Sequence, residues 1–82
     1  MTRYTTISED RAHMIAWGTD ADRGGLYIEV YAITPTPVGA ELRPLREWDT
    51  RHNDLTADMA YGIALAYGIE DILWRTVGDD ER

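Results

Sequence analysis

The side chains with obvious chemical potential in this 82-residue chain are two histidines, one serine and fifteen carboxylates. A metal centre would need His13 and His52 to meet near carboxylates such as Asp49 or Asp54. No HExxH run or paired histidine on one helix face arranges this. The cluster Glu47, Asp49, His52 and Asp54 lacks the central glycine and terminal glutamate of a calcium loop, so it is not read as a site. Ser8 has no nucleophile-elbow context. General acid–base catalysis needs two carboxylates in opposed environments, and fifteen of them make chance pairs uninformative. Gly24-Gly25 is no phosphate cradle, because Asp20 and Asp22 beside it repel phosphate and no helix follows. The chain has no cysteine, which removes disulfides, thiolate catalysis and thiolate-bound zinc. The sequence points away from an enzyme, and no cofactor is implied.

Charge is the remaining instrument. Fifteen Asp and Glu face eight cations, all arginine, for a formal charge of −7. The arginines are scattered, and Arg43, Arg46 and Arg51 are neutralised in sequence by Glu41, Glu47 and Asp49. A direct reader of nucleic acid carries a basic footprint. This chain carries the reverse, so nucleic acid and anionic membranes are disfavoured and basic protein surfaces favoured. With 44% apolar residues and eight aromatics, the chain is too hydrophobic for a disordered acidic tail. No apolar run has the length of a signal peptide core or a membrane span, giving the expectation of a cytoplasmic protein, in a bacterial host cell.

The elements that must carry these charges can be read from patterning. Residues 4–7 and 13–17 are strand candidates, with Ser8-Glu9-Asp10 as the turn between them. Residues 18–25, dense in Gly and Asp, read as a loop with a mobile tip. Residues 26–33 form the strongest strand, rich in β-branched and aromatic side chains. Its alternation sends Leu26, Ile28, Val30 and Ala32 to the core and Tyr27, Glu29, Tyr31 and Ile33 to solvent or a second layer. Pro35 and Pro37 are expected to end it. Residues 38–43 suggest a further strand, at an edge because of Pro44, and 45–52 read as irregular with Trp48 as an anchor.

A helix is expected over about 56–67. Thr56 is its N-cap with Asp54 as rival, Leu55, Met59, Ile63 and Ala66 share one face, and most of its surface is expected to be buried. Gly68 should terminate it, with Ile69 folding back. A last strand over 72–77 and a frayed acidic tail over 78–82 complete one domain over 1–82. The fold class is α+β: an antiparallel sheet of three to five strands with one helix on a face.

In size, charge and layout the chain resembles the small acidic phage-encoded inhibitors, in particular anti-CRISPR proteins. That resemblance implies electrostatic or steric blocking of a CRISPR effector complex, often at its DNA-binding surface, as a DNA mimic. The expected function is a non-enzymatic inhibitor bound to a basic surface of a nucleic-acid-binding protein. The expected partner-binding residues are Asp20, Asp22, Tyr27, Glu29, Tyr31, Glu70 and Asp71. The alternative is a small structural or adaptor protein that forms a homodimer or assembly contact through Tyr27, Tyr31 and Ile33.

Overall fold

Strand-forming residues separated by short polar turns give an antiparallel meander. The computed structural model describes residues 2–69. Its strands are β1 (Tyr4–Ile7), β2 (His13–Asp20), β3 (Gly25–Thr36) and β4 (Gly39–Asp49), in the spatial order β1-β2-β3-β4. A four-residue helix α1 (Thr50–Asn53) and the main helix α2 (Ala57–Ala66) follow. This is the expected α+β layout, with more sheet than helix. The expected strand over 72–77, the tail over 78–82, and Glu70 and Asp71 lie outside the described residues.

The helix-side face of the sheet forms the core. Ile15 and Trp17 of β2 and Ile28 and Val30 of β3 pack with Leu55, Ala60, Ala64 and Ile69. Tyr4, Leu26, Trp48, Ile63 and Tyr67 close its margins, Tyr4 tilted on Trp17 with ring centroids 5.6 Å apart. Trp48 is the anchor that the sequence suggests, while Trp17 Nε1 is buried with no hydrogen-bond partner.

α2 begins and ends as its sequence dictates. The Thr56 hydroxyl accepts the Met59 N–H at 3.2 Å, satisfying one of the helix's free donors. At the other end Gly68 takes φ +78°, and its N–H bonds the Leu65 carbonyl while Ile69 N–H reaches back to Ala64. These are the paired bonds of a Schellman cap, and they bury Ile69. The buried face differs from the expected stripe. Ala60 and Ala64 face the sheet, while Met59 and Leu65 are exposed. The alanines make the innermost contacts, and Ile63 and Tyr67 pack at the margins of the core beside them. Asp54, the rival cap, instead ends α1 in a left-handed conformation with φ 52°.

Three strand boundaries also move. β2 runs through Gly18 to Asp20, so the turn shrinks to one 3-10 turn (Ala21–Arg23) capped by the Asp20 carboxylate and closed by Gly24 at φ +82°. Gly24 lies against Arg51 of α1, so this is a packed turn and not a long open loop. β3 continues past Pro35 to Thr36. Ile33 N–H bonds Ala12 on the β2 side, so alternation aims the Pro35 nitrogen towards the same side, beyond the start of β2 at His13. Its missing donor costs the ladder nothing there. β4 runs from Gly39 through Pro44 to Asp49 because, among the described residues, it is an edge strand, and it carries a bulge. Val30 pairs with Arg46 and Tyr31 with Pro44, leaving Leu45 as the extra residue.

Candidate functional site

On the sheet face away from α2, strand register brings Thr5, Ala16, Glu29 and Glu47 into one row. Ala16 is fully buried, and its small side chain leaves room above it for long ones. Arg3 and Arg23 fill that room. Arg3 Nη1 lies 2.9 Å from one Glu29 oxygen and Arg23 Nη1 lies 2.8 Å from the other. The Tyr31 hydroxyl donates to Glu29 at 2.8 Å. Arg23 also reaches Glu47 at 3.3 Å and Asp49 at 3.4 Å, and its guanidinium sits 4.7 Å from the Tyr27 ring centroid. One arginine therefore bridges three carboxylates and covers an aromatic face.

Asp49 ties this network to the helical end. Its carboxylate accepts the His52 N–H at 2.7 Å and contacts His52 Nδ1 at 2.9 Å. The Thr50 hydroxyl accepts the Leu26 N–H at 3.0 Å. Burial works against the Glu29 charge, yet hydrogen bonds from Tyr31, Arg23 and Arg3 outweigh it and hold its pKa below the ordinary glutamate value. Asp49 behaves alike, with the His52 and Arg23 contacts overcoming desolvation. Both remain charged at neutral pH, as a stable ion-pair scaffold requires and a general acid does not.

The expected binding residues divide accordingly. Tyr27 is only 2% exposed and donates its hydroxyl to the Thr2 carbonyl at 2.8 Å, so it points away from α2 as expected but is not open to a partner. Glu29 and Tyr31 are joined to each other and to the arginines. The Asp20 carboxylate accepts the Asp22 N–H at 3.0 Å, while Asp22 itself is exposed. The structure thus unites Tyr27, Glu29 and Tyr31, and leaves Asp20 and Asp22 on the adjoining turn. Arg3 and Arg23 were missed by the sequence reading. Their role depends on which strand positions lie side by side, and only the register reveals it.

Besides Glu47, which is tied to Arg23 in the middle of the sheet, exposed carboxylates lie at its two ends. Asp22, Asp54 and Asp58 occupy the end where β2 turns into β3 and β4 passes into α1 and α2. Glu9 and Glu41 lie towards the opposite end. Among the described residues, none of these five takes part in an ion pair. Also among the described residues, no group of three or more His, Asp or Glu side chains is placed to hold a metal ion, and no helix is long and apolar enough to cross a membrane.

Comparison with known proteins finds no matching family, no matching curated protein and no matching solved structure.

Proposed function

We propose that the protein is a non-enzymatic inhibitor that docks an acidic end on the basic surface of a nucleic-acid-binding protein. The target class is a bacterial CRISPR effector complex, whose DNA-binding surface would be occupied in the manner of the small acidic anti-CRISPR proteins. The observation that carries this reading is the division of charge. Arg3 and Arg23 are turned onto Glu29, Glu47 and Asp49, whereas Asp22, Asp54 and Asp58 stand exposed and free of ion pairs at one end. Among the described residues there, exposed Arg3 is paired with Glu29 and exposed Arg51, packed beside Gly24, faces three unpaired carboxylates, so the described part of that end is net negative. Such a surface accelerates encounter with a positive groove and loses its advantage as salt rises.

The experiment is a binding assay with a purified CRISPR effector complex and labelled target DNA. The wild-type protein should compete with the DNA, and the triple reversal D22K/D54K/D58K should compete far less well at low salt. Equal competition by both proteins would remove the acidic end from the mechanism. The alternative contact through Tyr27, Tyr31 and Ile33 finds support only at its Ile33 end, since Tyr27 is buried and Tyr31 is bonded to Glu29.

A further inference from the structure

Two short segments carry Asp22 and Asp54, and neither is held in place by its own bonds alone. The first is the 3-10 turn (Ala21–Arg23), closed by the Asp20 carboxylate at its start and by Gly24 at its end. The second is α1, only four residues long, far below the length at which a helix is stable by itself. It starts on the Asp49 carboxylate, which accepts the His52 N–H at 2.7 Å, and it ends in the left-handed Asp54. Asp58 follows in the first turn of α2.

Arg23 belongs to the first segment and grips the second. Its Nη1 is fixed on Glu29 at 2.8 Å, and its Nε reaches the α1 cap Asp49 at 3.4 Å. The guanidinium lies on the Tyr27 ring, which is itself buried and bonded to Thr2. Glu29 keeps Arg3 and Tyr31 on its other oxygen, so Arg23 is not its sole support. Directly behind Arg23 the two segments touch backbone to backbone: a Cβ on Gly24 would stand 2.8 Å from the Arg51 nitrogen. The Thr50 hydroxyl ties α1 to Leu26 of β3. Among the described residues, that leaves Arg23 as the side chain that joins the turn itself to α1.

We propose that Arg23 is the positioning residue of the acidic end: it fixes the Asp22 turn against α1, and its loss weakens capture of a basic target even though the protein becomes more negative. The binding consequence rests on the inhibitor reading, whereas the ordering of the end does not. By charge alone Arg23 opposes binding, since it is a cation within an end that meets a positive surface. Removing it should then strengthen attraction at low salt. Positioning has the opposite sign. Carboxylates on a loosened turn and a loosened α1 must be immobilised when the target binds, and that ordering is subtracted from affinity. The two accounts therefore predict opposite changes for one substitution.

The test compares R23Q and R23K with wild type in the full chain, under conditions where urea unfolding shows each to be native. R23K keeps the net charge, but an ammonium cannot span Glu29 and Asp49 as the guanidinium fork does; it also carries the test should R23Q fail to fold. Backbone 15N relaxation of the free protein reads the ordering. Order parameters at Asp22, Gly24 and His52 should fall from about 0.85 towards about 0.6 in R23Q, while Ser8 and Ala12 at the opposite end keep wild-type values. Competition with labelled target DNA for a purified CRISPR effector complex at low salt reads the consequence. R23Q should compete about fivefold less well than wild type, the scale of one partly buried ion pair, and R23K should also fall short. Wild-type order parameters at these three amides in R23Q, an R23Q that competes as well as wild type or better, or an R23K that matches wild type would each overturn the proposal. A wild type that fails to displace DNA would remove the inhibitor reading and the binding half with it, and the relaxation result would still decide the ordering half.

Discussion

Glu29 is surrounded by three donors: both Glu29 oxygens are held by arginines, and Tyr31 adds a third bond. Glu29→Gln keeps the shape but strands Arg3 and Arg23 without their carboxylate. Part of that loss is recovered from water, because the site is not sealed. The expected cost is therefore about 1–2 kcal/mol, seen as a lower urea midpoint with an unchanged slope. Acid should act through the same groups. The folded pKa of Glu29 lies below 4.5, and those of Asp10 and Asp49 lie below 3.8. For Asp10 the Ser8 hydroxyl is the main cause, followed by the Ala12 N–H. A carboxylate with a depressed folded pKa stabilises the fold fully above its unfolded value and loses that contribution as pH falls through the folded value. Stability should be flat near neutrality and drop below about pH 4, with a shallower acid limb in Glu29→Gln. An acid limb unchanged by this substitution would mean that Glu29 is not held by its arginines in solution.

Glycines fix two of the chain's elements by different means. Gly68 supplies the left-handed residue that ends α2, and an added Cβ there meets none of the described residues. Gly68→Ala should cost only the backbone strain, about 1 kcal/mol. Gly18 is different: a Cβ would collide with the carbonyl of Thr2, the acceptor of the Tyr27 hydroxyl. Gly18→Ala must displace the segment before β1, so its loss of stability in chemical denaturation should clearly exceed that of Gly68→Ala. A smaller effect at Gly18 would contradict the close packing of Thr2 over β2. These positions also show what patterning can and cannot reveal. The α2 caps were legible because Thr56, Gly68 and Ile69 act through local hydrogen bonds. β3 was legible because one of its faces is deeply buried and so alternates. β4 was not, since positions 39–47 are exposed throughout and no buried face imposes a period. Gly18-Thr19-Asp20 read as loop because the reason for Gly18 is the Thr2 backbone, in the distant segment before β1.

The long dimension of the molecule, 41 Å, matches about 40 Å for a twelve-residue strand, so β3 acts as the spine and its two ends carry different surfaces. One end bears Asp22, Asp54 and Asp58; the other bears the turn between β3 and β4, with Val38 exposed, and Arg11. The middle of the face opposite α2 is closed by the Arg3–Glu29–Arg23 network. The charge excess was visible in composition, and Asp22 and Glu29 were singled out from sequence. That Glu29 is neutralised and Asp22 is not could not be read there, because it depends on which arginines the register brings overhead. Asp54 and Asp58 gained weight only when α1 brought their segment beside the Asp22 turn. The inhibitor reading then makes a demand on salt. Raising ionic strength should weaken capture of a basic nucleic-acid-binding target by wild type, and D22K/D54K/D58K should flatten that dependence. The urea midpoint should be lowered only modestly, through a loss of about 1 kcal/mol at position 54 in its left-handed conformation and at Asp58 in the first turn of α2. The most direct measurement is competition with target DNA for a purified CRISPR effector complex, titrated at low and high salt. The account predicts displacement of DNA by wild type that declines with salt and is lost in the triple variant. DNA binding unaffected by wild type at low salt would contradict it.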